Sequence, residues 1–200
     1  MKSAILLTLA MSLFLTACGS GPTRNTGNNI TAGAQEIETK RMEQSQVMKI
    51  TNDWPLTSRQ NLDKMVQKYG QPTEATNSMV IWQNNGPWKK SVLYKNQGKD
   101  SLEQTAGMMV PPEKLGELAM FNKALTVNQG NNEVSSRSNK EETNFLTLNL
   151  AKDIVDGKMS AMEARKQYSS VTDVMGRSEY MDNLNFGPAR GSNPQSNDSL

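Results

Sequence analysis

Apolar residues are distributed unevenly along this chain of 200 residues, and their distribution limits how much of it can fold. Asn, Gln, Ser, Thr and Gly crowd the stretch from Gly19 to about Asp53 and the stretch after about Gly176, whereas the apolar density between them is that of an ordinary domain. Polar, glycine-rich segments cannot bury enough apolar surface to offset the entropy lost on ordering. We therefore expect one folded domain over residues 54–175 and a disordered tail over residues 176–200.

The residue types present exclude several kinds of functional site. The chain has no histidine and one cysteine, Cys18, which removes histidine-dependent catalytic triads, histidine and multi-thiolate metal sites, and internal disulfides. The net charge of +2 is spread without basic blocks, a pattern that does not support nucleic-acid binding. P-loop and serine-hydrolase motifs are also absent. We expect no cofactor, no metal and no nucleic-acid partner.

The first 18 residues are arranged like an export signal. Lys2 is followed by an apolar stretch over residues 4–14, which has the length of the hydrophobic core of a signal peptide. It is too short to span a bilayer, which takes about 20 residues. The run Leu15-Thr16-Ala17-Cys18 resembles the lipobox of bacterial lipoproteins.

The lipobox resemblance implies covalent attachment to a membrane. In that family the cysteine, here Cys18, carries a diacylglyceryl group, the preceding signal (here residues 1–17) is removed, and the new amine is acylated. Two or three acyl chains anchor a protein stably where one does not. In enteric-type bacteria an Asp after the cysteine retains the protein in the inner membrane. Because Gly19 stands there, we expect the periplasmic face of the outer membrane. The tether over residues 18–53 would then reach about 30 Å on average.

Hydrophobic periodicity in the central segment predicts an α+β domain, in which a small antiparallel sheet from two hairpins packs with about four helices. Residues 96–109 show no clear period. Helices are predicted over residues 57–69, 112–121, 140–156 and 160–168, and hairpins over residues 78–94 and 124–137. Even positions of the first hairpin are predicted to share one face; they are Val80, Trp82, Trp88, Val92 and Tyr94.

A second resemblance covers residues 57–94. A helix through Leu62–Tyr69, the run Gly70-Gln71-Pro72 and a strand with Trp82 resemble the order found in small lipoproteins of the β-barrel-assembly machinery. Those proteins usually begin with another short helix and its own glycine turn, which this sequence lacks. The resemblance implies no function for the remainder of the chain.

The longest predicted helix carries a polar stripe formed by Glu142, Asn149, Asp153 and Asp156, opposite an apolar arc that includes Leu148. Carboxylates and an amide on one stripe can bind a cation or act as an acid/base pair. The alternative is a nearly buried helix with one solvated stripe.

Trp82 and Trp88 flank the predicted turn Asn84-Asn85-Gly86-Pro87. Together they can form an exposed aromatic surface for a glycan or peptide. The alternative is that both belong to the core, where most tryptophans lie.

These features predict a lipid-anchored bacterial envelope protein with a binding or structural role and, besides the membrane, another envelope protein as partner. The alternative is a membrane-tethered hydrolase of wall or glycan that uses carboxylates such as Glu142 and Asp153. A third hypothesis is a small-ligand carrier with a closed apolar cavity. A hydrolase needs carboxylates that converge in a concave pocket, whereas a binding module should show an exposed apolar or aromatic patch.

Overall fold

The computed structural model describes residues 40–96, 98–173 and 176–186. Within these residues, five α-helices pack with a six-stranded antiparallel sheet, which confirms the predicted α+β class. The helices are α1 (Gln44–Thr51), α2 (Leu56–Tyr69), α3 (Leu115–Phe121), α4 (Glu141–Val155) and α5 (Ala161–Thr172). The strands are β1 (Glu74–Ala75), β2 (Met79–Asn85), β3 (Trp88–Tyr94), β4 (Leu102–Gly107), β5 (Leu125–Asn128) and β6 (Glu133–Ser138). The predicted signal peptide and Cys18 lie outside the described residues.

Strands follow the order β1-β2-β3-β4-β6-β5, and every neighbouring pair is antiparallel. The first hairpin is present, but its even positions do not all share one face. Trp88, at the start of β3, contacts α4 and stays on the helix side. Val80 lies opposite Leu93 and Trp82 opposite Ser91, so Val92 falls on the other face. The reason is the length of the turn: only two residues separate β2 from β3, and a shift of register by one residue exchanges the faces.

Strand β4 lies in the middle of the sheet, although its sequence shows no clear period. Gln104 is fully buried and Thr105 is 4% exposed, so polar residues occupy interior positions of this strand. Both side chains are hydrogen-bonded, Gln104 to Glu141 and Thr105 to Ser135. A buried polar residue with a partner costs little, and it hides the alternation on which strand prediction depends.

The helices and one face of the sheet enclose two apolar clusters with polar residues between them. One cluster joins α1 and α2 to Val80, Trp82, Leu93 and Leu102. The other joins α3, α4 and α5 to Trp88, Ala106 and Val134. Ser91, Gln104 and Ser136 are fully buried and lie directly opposite one another on β3, β4 and β6. We call these three residues the polar row.

The domain extends beyond the predicted limits of 54 and 175. At the amino-terminal side, Val47 of α1 is 2% exposed and belongs to the first apolar cluster. At the other side, residues 176–186 include a 3₁₀ turn, Glu179–Met181, that packs on α4, and Leu184 is buried. Composition misses both segments because each contributes few apolar side chains among many polar ones. Residues 187–200 lie outside the described part.

Candidate functional site

The first residue of α4, Glu141, holds the carboxylate with the most hydrogen-bond donors in the described part of the chain. Its Oε1 accepts bonds from the hydroxyl of Tyr69, from Nε1 of Trp88 at 2.6 Å and from Nε2 of Gln104 at 3.0 Å. Its Oε2 pairs with the ammonium of Lys68. The side chain is 11% exposed, so the four donors replace most of the water that a carboxylate requires.

Further hydrogen bonds connect Glu141 to the polar row. Nε2 of Gln104 also contacts Oγ of Ser91 at 3.3 Å, and its Oε1 accepts a bond from Nδ2 of Asn144 at 3.0 Å. Oδ1 of Asn144 in turn accepts a bond from Ser138 at 2.9 Å. The start of α4 is therefore fixed to β3, β4 and β6 by side chains rather than by a capping residue.

A cleft of about 520 Å³ opens beside Glu141, between α2, the start of α4 and Met181. Met65, Leu102 and Met181 supply its apolar lining, and Lys64 and Lys140 add basic groups to it. This volume lies within the range of about 300–1,000 Å³ that is usual for small-ligand sites. The cleft thus combines apolar contact area with three lysines and two carboxylates, those of Glu141 and Glu142.

Of the two carboxylates in this cleft, that of Glu141 is occupied by structural hydrogen bonds. Glu141 is held by four donors, three of them on a single oxygen, so it serves as an acceptor that fixes α2 and the sheet to α4. Glu142 is exposed and lines the same cleft. A general base must reach the proton that it removes with a free lone pair, which the bonded Oε1 does not offer.

The predicted polar stripe of α4 does not form one site. Glu142 lies in the cleft, whereas Asn149 and Asp153 are 2% and 7% exposed and contact residues near the end of the domain. Asp156 is exposed and pairs with Lys152. Glu142 and Asp153 are eleven positions apart, or about 16 Å along the helix axis. The proposed acid/base or cation site on this stripe is therefore wrong.

Asn149 and Asp153 attach residues 178–186 to α4. Nδ2 of Asn149 donates to the carbonyls of Tyr180 and Asn183 at 2.9 and 2.7 Å. The hydroxyl of Tyr180 donates to Oδ2 of Asp153 at 2.5 Å, and Lys158 contacts Oδ1 at 3.0 Å. The stripe is polar because it binds backbone groups of a segment far along the chain, a requirement that helical periodicity does not reveal.

The bond between Tyr180 and Asp153 predicts a loss of stability in alkaline solution. Asp153 and burial raise the pKa of Tyr180 above its ordinary value of 10.0. The folded state thus keeps the phenol proton to higher pH than the unfolded state, so this contribution is complete below about pH 10 and lost as pH rises through the folded pKa. Tyr180→Phe should lower stability by about 1 kcal/mol near neutral pH and make it less sensitive to alkali.

Denaturant unfolding at about pH 8 and about pH 11, on either side of the ordinary tyrosine pKa, measures this effect. Tyr168→Phe leaves the bond between Tyr180 and Asp153 in place and is the control. Equal alkaline losses in the wild type and in Tyr180→Phe would show that the bond does not contribute.

Trp82 and Trp88 do not form an aromatic surface. They are 0% and 1% exposed, and both lie on the side of the sheet that the helices cover. Nε1 of Trp82 donates to the carbonyl of Gly70 at 3.0 Å, and the Trp88 ring stacks on Phe145 with centroids 4.7 Å apart. The alternative assignment of both tryptophans to the core is the one that the structure supports.

Glu141 belongs to no sequence motif, yet its position in the helix indicates burial. Positions 141, 145 and 148 follow the i, i+4, i+7 spacing of one helix face, and Phe145 and Leu148 are buried there. A carboxylate in line with two core residues is expected to be buried and partnered. Its donors, however, cannot be inferred from spacing.

Comparisons with family models, curated proteins and solved structures found no match for this chain. In the described residues, no group of three or more acidic, histidine or cysteine side chains can hold a metal ion. Over the same part of the chain, no helix has the length and hydrophobicity needed to cross a membrane.

Proposed function

We propose that this chain is a lipid-anchored bacterial envelope protein whose folded domain binds another molecule. The anchor rests on one observation, the run Leu15-Thr16-Ala17-Cys18 after an apolar segment of signal-peptide length. Gly19 after the cysteine favours the periplasmic face of the outer membrane.

The binding role is supported by the cleft beside Glu141. Its apolar lining and its three lysines, which outnumber the carboxylates of Glu141 and Glu142, suit an acidic, partly apolar segment of another envelope protein, which is the partner that we propose. A hydrolase that uses carboxylates is less well supported, because Glu142 and Asp153 lie about 16 Å apart along α4 and Glu141 is already held by four donors.

Membrane fractionation with labelled fatty acid tests the anchor. Cys18→Ser removes the thiol that lipid attachment requires, so it is expected to abolish labelling. Gly19→Asp is the matched control, because it should keep the lipid label while moving the protein to the inner membrane. Fatty acid on Cys18→Ser would contradict the anchor.

Cross-linking in the envelope, on the lipidated chain, tests the binding role. Lys64→Glu and Lys140→Glu reverse charges in the cleft and are expected to abolish cross-links to the partner and complementation of a deletion strain. Lys166→Glu makes the same change on α5, outside the cleft, and should have no effect. If all three variants behave alike, the cleft is not the binding site.

A further inference from the structure

The helices nearest to the tether expose apolar side chains that the core does not use. Met48 of α1 and Leu56 of α2 are 62% and 63% exposed, and both line one shallow cleft of about 310 Å³ between the two helices. Arg59 and Asp63 lie in the same cleft. Both exposed side chains line the same cleft, so they are not scattered singly over the surface.

This end of the domain also carries its positive charge. Residues 40–69 contain six basic and three acidic residues, whereas residues 70–186 contain thirteen basic and fourteen acidic residues. One of the three acids, Asp53, is paired with Lys95 at 2.6 Å. Closest to the patch, Lys49 follows Met48 on α1, and Arg59 lines the cleft together with Asp63.

The position of the patch along the chain relates it to the anchor. Gln44, where α1 begins, stands 26 positions after Cys18. Among the described helices, α1 and α2 are therefore the nearest in sequence to the proposed lipid, and a chain of that length spans at most about 90 Å even when fully extended. Tethering of this kind raises the effective concentration and makes a weak contact persistent.

We infer that Met48, Leu56, Lys49 and Arg59 dock on an anionic phospholipid surface. Apolar side chains that enter the interface and lysines or arginines that face anionic headgroups are the two contributions that hold peripheral elements on membranes. The inference rests on the proposed lipid anchor, which brings this surface to the bilayer. It adds that the domain has a fixed orientation, with α1 and α2 toward the lipid.

Sedimentation with vesicles of phosphatidylethanolamine and phosphatidylglycerol tests the surface directly. The protein is the mature chain, residues 18–200, with Cys18→Ser so that no acyl chain contributes. Met48→Asp and Leu56→Asp are each expected to lower the partition coefficient about tenfold, since burying such a side chain is worth 1.4 kcal/mol or more. Met120→Asp and Met162→Asp change residues that are 59% and 81% exposed on α3 and α5, and should leave binding unchanged.

An environment-sensitive fluorophore supplies a second readout. In the Cys18→Ser chain, a dye on Leu56→Cys is expected to shift to the blue on these vesicles, and a dye on Met162→Cys is not. Vesicles of phosphatidylcholine alone should give a weaker shift, because they lack anionic headgroups. The inference is overturned if all variants give the same result. It is also overturned if the surface around Leu56 is covered by a second copy of the chain or by a protein partner in the absence of lipid.

Fractionation of the lipidated protein separates this inference from the proposed function. Leu56→Asp should remain with membranes when Cys18 carries lipid, because acyl chains anchor it independently of the patch. If the protein receives lipid in cells but its unlipidated form does not bind vesicles, the docking surface is refuted and the anchor is supported. Vesicle binding that depends on Leu56, in a chain that never receives lipid in cells, refutes the anchor and supports the surface.

Discussion

Glu141→Ala is expected to lower the free energy of unfolding by about 3–5 kcal/mol, because three neutral donors each lose a hydrogen bond whose loss costs about 1–3 kcal/mol. The substitution removes the oxygen that Trp88, Gln104 and Tyr69 share as acceptor at the junction of α2, α4 and the sheet. Buried donors that lose a partner keep the full penalty of their desolvation. Chemical denaturation followed by circular dichroism measures the change.

Glu142→Ala is the matched control, because Glu142 is the next residue of the same helix and is exposed. Its effect should stay within about 0.5 kcal/mol, as for most surface substitutions. Glu141→Gln keeps an oxygen acceptor and should fall between the two. If Glu141→Ala is as mild as the control, the hydrogen bonds around Glu141 do not stabilise the domain.

Leu148→Ala is expected to cost about 2–5 kcal/mol, because it leaves a cavity that the surrounding side chains fill only in part. Leu148 is fully buried on α4, and the cluster around it includes Leu150 and Ile154. Thermal or chemical unfolding of the purified mature chain measures the loss.

Leu56→Ala offers a control with the same residue types at a position that is 63% exposed. It should change the free energy of unfolding by less than about 0.5 kcal/mol. A neutral Leu148→Ala would mean that α4 presents a different face to the core.

Elements with strong local signals are predictable from the sequence. The helix α2 ends at Gly70, whose φ of 77° lies in the left-handed region that glycine favours. The helix α5 begins with a capping box in which Ser160 and Glu163, three positions apart in the sequence, exchange bonds. In both cases the end of the helix is determined by a few residues adjacent in the sequence.

The candidate site shows what local signals cannot supply. Glu141 receives bonds from Tyr69, Trp88 and Gln104, which lie 72, 53 and 37 positions away in the sequence. A single sequence provides the carboxylate but not the arrangement that gathers its donors. The stripe on α4 fails for the same reason, because its partners are backbone groups at Tyr180 and Asn183. Polar residues in the interior are explained only by the contacts that the complete fold creates.

The polar row also determines where α4 can rest on the sheet. Apolar contacts alone would let α4 slide along the sheet, because a leucine-rich helix buries a similar apolar area in many positions. A displacement by one helical turn, about 5.4 Å, would carry Glu141 and Asn144 away from Gln104 and leave several donors unmatched in the interior. Within the row, Gln104 bonds both Glu141 and Asn144 and thus disfavours neighbouring positions of the helix. Substituting the polar row by apolar residues of similar volume should keep a compact protein while allowing α4 more than one placement.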